Sequence, residues 1–190
     1  MKKISLILLI IIATGLSAYA VDYPGKEPGT AVLAIDSKNI TLQNNVLKQS
    51  WKVVNNKLVS EKLSDIPGNT NIDLSTSDLF YVIVDGKLLK SSEFEMQTTP
   101  VEYMLIPNKG SARLSQSLSG RAVKAMLTSK DRKLNVQWTA ILRDGSNYVQ
   151  QQFVFSTNQP DLNVSEYYGW TTKLNMPYWF LLKYFLMLQA

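Results

Sequence analysis

The sequence predicts an all-β chain folded as an antiparallel β-sandwich. Three observations carry this. Between Val21 and Pro160, apolar residues do not recur at the i, i+3, i+4, i+7 spacing of an amphipathic helix. Many short runs alternate apolar and polar residues instead, the period of a strand with one buried face. Turn signals separate these runs at fairly regular intervals, among them Asp85-Gly86 and Asp144-Gly145.

The elements follow in chain order. Met1-Lys2-Lys3 is basic, Ile4–Ile12 is wholly apolar apart from Ser5, and Ala18-Tyr19-Ala20 carries small residues where a signal peptidase reads them. This pattern predicts a secretory signal peptide over residues 1–20, cut after Ala20, and export to the periplasm or beyond. The apolar run is shorter than the roughly 17–25 residues of a membrane span. No Cys follows it, which excludes a lipid anchor on cysteine. Residues 21–38 read as an extended, Pro- and Gly-rich lead-in with a first strand.

Residues 39–168 read as the sandwich. Val46–Val54 places Leu47, Gln49, Trp51 and Val53 on one side of a strand, Asn55-Asn56-Lys57 turns it, and Leu58–Leu63 returns. Ile66–Ser77 reads as a loop around Pro67-Gly68. Leu79–Val84 is the most apolar strand and Asp85-Gly86 turns it. Val101–Ile106 is a strand, Arg113–Leu118 a short one, and Gly120–Leu127 another with Val123, Ala125 and Leu127 on one face. Leu134–Phe155 is the clearest unit. Leu134, Val136, Trp138, Ala140 and Leu142 alternate with polar neighbours, Asp144-Gly145 predicts a tight turn, and Tyr148, Val149, Phe153, Val154 and Phe155 predict the return strand. Residues 169–190 differ from the rest. Met176–Leu188 is almost wholly apolar and aromatic with Lys183 its one charge, and predicts a short buried helix or a non-native ending.

Composition removes whole classes of chemistry. The 190 residues contain no Cys and no His. Disulfides, thiolate nucleophiles, Ser-His-Asp triads, His-Cys zinc sites and imidazole bases are all excluded. The formal charge is +5, or +3 once Lys2 and Lys3 leave with the leader, too mild and too scattered for a nucleic-acid partner. Glycoside chemistry needs two facing carboxylates. The candidates are Glu102, Asp144, Asp161 and Glu166, none in a supporting motif, and Asp144 is accounted for by its turn. Asp65, Asp73 and Asp78 lack the alternate-residue ligand spacing of a calcium loop. Trp51 and Trp138 fall on apolar strand faces and read as core, not sugar platforms. Asn39-Ile40-Thr41 and Asn163-Val164-Ser165 fit the glycosylation sequon. Gln150-Gln151-Gln152 reads as a polar strip on a sheet face, with amides able to bond sugar hydroxyls.

Asn39-Ile40-Thr41-Leu42, the Trp strand and return of Val46–Leu58, Asp78-Leu79-Phe80 with Asp85-Gly86, and above all Trp138–Val149 (WTAILRDGSNYV) carry a resemblance. Over Asn39–Phe155 the chain resembles the N-terminal β-sandwich of secreted α-galactosidase-like enzymes related to glycoside hydrolase family 36. The resemblance implies a supersandwich-like fold that packs on a (β/α)₈ barrel, the barrel carrying the nucleophile and the acid/base. No catalytic residue of that family maps onto this sequence. The expectation is therefore a non-catalytic domain from a truncated chain, with no catalytic, cofactor-binding or metal residues. Carbohydrate and a catalytic barrel are its expected partners, and the mature chain has no membrane span. The alternative is a stand-alone carbohydrate-binding or envelope β-sandwich module.

Overall fold

A computed structural model describes residues 25–169. The expected signal peptide and the apolar segment Met176–Leu188 lie outside the described residues. Within them the protein is all-β, with every strand pairing antiparallel and no helix of seven residues or more.

Among the described residues, thirteen strands form three sheets. The first is a meander of β1 (Val32–Ile35), β2 (Asn39–Gln43), β3 (Leu47–Val54), β4 (Lys57–Asp65) and β5 (Thr70–Asp73). The second runs β12 (Gln150–Thr157), β11 (Leu134–Arg143), β10 (Gly120–Ser129). Along the far edge of β10 lie β8 (Phe94–Met96) and β9 (Val101–Leu105), end to end. The third joins β13 (Val164–Gly169), β6 (Phe80–Val84) and β7 (Lys87–Lys90).

Strand register decides which face is core. Trp138 lies between Ala125 and Phe153, and Val136 between Leu127 and Phe155, so these residues share one face of the second sheet. The other two sheets both pack there. Trp51 of β3 meets Trp138 edge-on at 5.1 Å. Phe80 of β6 meets Phe94 at 5.1 Å and Phe153 at 5.2 Å. The molecule is thus a two-layer sandwich with one layer divided between two sheets, and a single core cluster spans all three. Edge-on aromatic pairs of this kind add about 0.5–1.5 kcal/mol beyond the area they bury.

Local chemistry places the turns. Asn55 and Asn56 join β3 to β4 at φ 50° and 60°, and Asp85 and Gly86 join β6 to β7 at φ 48° and 75°. Both are two-residue hairpins of the left-handed kind that Asn, Asp and Gly tolerate. Leu47, Gln49 and Trp51 are buried on one side of β3, as their alternation predicts. On β4 the buried positions step from Leu58 and Ser60 to Leu63, because Glu61 is an extra residue in the β3–β4 register.

Three expectations are corrected. Asp144-Gly145 does not close a tight hairpin. β11 ends at Arg143 and β12 begins at Gln150, so Tyr148 and Val149 belong to a six-residue connection. Only Gly145 takes a positive φ there, whereas Asp85 and Gly86 both do, and the two-residue hairpin of that left-handed kind needs both. Arg113–Leu118 is not a strand: Leu114–Ser117 forms a 3₁₀ turn, within which the Ser117 hydroxyl donates to the Leu114 carbonyl at 2.7 Å. The Ile66–Ser77 segment is not all loop, since Thr70–Asp73 returns as β5 along β4.

Candidate functional site

The four candidate carboxylates sit on different elements and connections. Glu102, on edge strand β9, pairs with Arg121 across the ladder at 3.1 Å, and both side chains are well exposed. Glu166, on β13 of a different sheet, accepts the Tyr168 hydroxyl. That bond and the adjacent negative charge raise the Tyr168 phenol above its ordinary range. Asp161 is exposed in the turn after β12. Asp144 is half-buried, with Oδ1 accepting the Ala31 amide at 2.7 Å and Oδ2 accepting the Ser119 hydroxyl. No two of them share an element or a hydrogen-bond partner.

Asp73 is engaged in a local turn, and Asp78 ties its segment to residues 91 and 92. Asp73 accepts the Ser75 amide at 2.9 Å, which holds its carboxyl below the usual range. Asp78 accepts the Ser92 amide at 2.8 Å and the Ser91 hydroxyl at 3.1 Å. Asp65 ends β4. Among the described residues no group of three acids is placed to hold a metal ion.

Trp51 and Trp138 are fully buried and face each other, so neither offers a surface to sugar. The glutamine run divides by strand alternation. Gln151 turns toward the core side and its Oε1 accepts the Trp138 indole N–H at 2.8 Å. Gln150 and Gln152 pair with Ile141 and Thr139 on the outer face. Both sequon asparagines are exposed. Asn39 donates to the Asp36 carboxylate at 3.0 Å, and the Asn163 amide donates to Asp85 at 3.0 Å.

Two surface features stand out. The first is a cleft of about 190 Å³ between β4 and the segments 75–78 and 91–92. Leu58 lies in its wall, and Ser75, Thr76, Ser77, Ser91 and Ser92 give it a hydroxyl-rich lining beside the Asp78 carboxylate. Its volume is below the roughly 300–1,000 Å³ of small-molecule sites. The second is the outer face of the second sheet. There Tyr103 is half-buried beside Lys124, whose ammonium lies 5.8 Å from the ring centroid. Burial raises the Tyr103 phenol, opposed by a hydrogen bond with Thr139 and by the charge of Arg143. With Gln150 and Gln152 on the same face, this surface joins an aromatic ring to amide and ammonium donors.

The sequence does not reveal Ser119 and Ala31 as partners of Asp144, because they lie 25 and 113 positions away from it. Tyr103 is likewise indistinguishable from any strand aromatic until register sets its face. Among the described residues no helix is long and apolar enough to cross a membrane. Comparison of the chain with protein-family models, curated proteins and solved structures finds no match.

Proposed function

We propose that this chain supplies the non-catalytic N-terminal β-sandwich of an exported α-galactosidase-like glycoside hydrolase, bracing a catalytic barrel and shaping the rim of its active site. The non-catalytic part of the reading is carried by the resemblance itself, since no catalytic residue of that family maps onto this sequence, and Glu102, Asp144 and Glu166 are each engaged by a partner of their own. The strand-and-turn resemblance over Asn39–Phe155 supports the glycosidase association, and the leader-like residues 1–20 support export. The test is to mix the purified protein with the catalytic barrel of such an enzyme, made without its own sandwich. A complex on size exclusion and a raised thermal midpoint of the barrel are expected, because a partner that binds only the folded state stabilises it. No complex and an unchanged midpoint would overturn the reading.

A second reading is a stand-alone carbohydrate-binding or envelope module. The observation favouring it is the outer sheet face with Tyr103, Lys124, Gln150 and Gln152. A glycan array decides it: binding that Tyr103→Ala abolishes supports it, and no binding at roughly millimolar sugar, the scale of a weak single site, removes it.

A further inference from the structure

We propose that residues 25–31 form an N-terminal strap over the loop end of the sandwich, and that the Asp144 carboxylate is its lock. Hydrogen bonds hold the strap more than burial does. The Asn45 amide donates to the Pro28 carbonyl at 2.9 Å, the Gly145 amide to the Gly29 carbonyl at 2.8 Å, and the Ala31 amide to Asp144 Oδ1 at 2.7 Å. Gly25, Lys26, Glu27 and Thr30 are exposed, and Ala31 is the strap's one residue in the core. A segment with so few apolar contacts opens at lower free energy than the sheets beneath it.

The lock sits on a fixed base. The Asp144 amide donates to the Ser119 carbonyl at 2.9 Å, and the Arg143 guanidinium donates to the Leu118 carbonyl at 2.6 Å. The Asn44 side chain donates to the Ser146 carbonyl at 2.7 Å. None of these bonds involves the strap, so segments 118–119 and 143–146 stay joined when it leaves. Among the described residues, Asp144 Oδ1 is the one charged group that reaches across from base to strap, and a hydrogen bond to a charged acceptor is stronger than its neutral counterpart. On the moving side Gly29 has φ 69°, and a Cβ there would stand 2.5 Å from Asn45 Nδ2. A side chain there strains the left-handed backbone and obliges the Asn45 side chain to move, which weakens closure of the strap.

The test uses the full chain, following amide exchange by mass spectrometry and trypsin cleavage after the exposed Lys26. Asp144→Ala is expected to speed exchange at Ala31 and Gly145, and cleavage after Lys26, by about tenfold or more. Amides deep in β10 and β11, such as Val123 and Ala140, keep their wild-type protection. The proposal fails if Ala31 and Gly145 are unaffected, or if Val123 and Ala140 lose protection by the same factor. Should Asp144→Ala not fold, Gly29→Ala perturbs the moving side alone. The same pattern is expected from it, and wild-type cleavage after Lys26 in that variant overturns the proposal.

Discussion

At the residue scale, the two central tryptophans differ in how their polar atoms are met. Trp138 donates to Gln151, whereas the Trp51 indole nitrogen has no partner among the described residues. Replacing Trp138 by Ala removes half of the Trp51–Trp138 contact, and is expected to cost about 3–5 kcal/mol in urea unfolding. Gln151→Ala leaves the buried indole N–H unpaired and costs about 1–3 kcal/mol. A Gln151→Ala protein as stable as wild type would show that water replaces the amide. Acid sensitivity also originates in single residues. The Ser129 hydroxyl, followed by the Lys133 amide, holds the Asp131 carboxyl below its ordinary value. Because folding depresses this pKa, the stabilisation is complete above the unfolded value near pH 4 and is lost as pH falls through the lower folded value. Thermal midpoints measured from pH 6 to pH 2 are expected to fall less steeply in Asp131→Asn than in wild type. Asp131 is highly exposed, so the difference is small.

At the element scale, the two Asp-Gly dipeptides show what local sequence decides. Asp85-Gly86 forms the tight hairpin its residues predict, since Val84 pairs directly with Lys87. Nothing lies within 4 Å of a Cβ at Gly86, so Gly86→Ala is a purely conformational change. It is expected to cost about 1–2 kcal/mol, the left-handed penalty for an L-residue. Asp144-Gly145 carries the same dipeptide yet opens into a six-residue connection, with only Gly145 at positive φ and the Asp144 carboxylate bonded to residues 31 and 119. Trp51 and Trp138 were legible as core because alternation marks a face over several residues. β8 was not, since its three residues are too few to show a period. The 3₁₀ turn at Leu114–Ser117 was missed because the expected strand has no ladder partner there. Nor does alternation foresee the extra residue at Glu61, which appears only once β3 and β4 are paired.

At the scale of the whole molecule, the all-β class was legible because turn signals and period-2 runs agree along most of the chain. The division of one layer into two sheets was not, since sheet membership depends on contacts such as Phe80 with Phe153, more than 70 positions apart. The same limit applies to the carboxylates. Sequence names Glu102, Asp144, Asp161 and Glu166 as possible acids, and only the fold shows that they occupy separate elements with separate partners. The central claim is that this sandwich supports a glycosidase without being one. It is tested most directly by incubating the pure protein with a panel of aryl α- and β-glycosides, aryl α-galactoside first. The account predicts aryl alcohol release at the rate of the buffer alone. Release above that rate, lost on Glu102→Gln or Glu166→Gln, would contradict it.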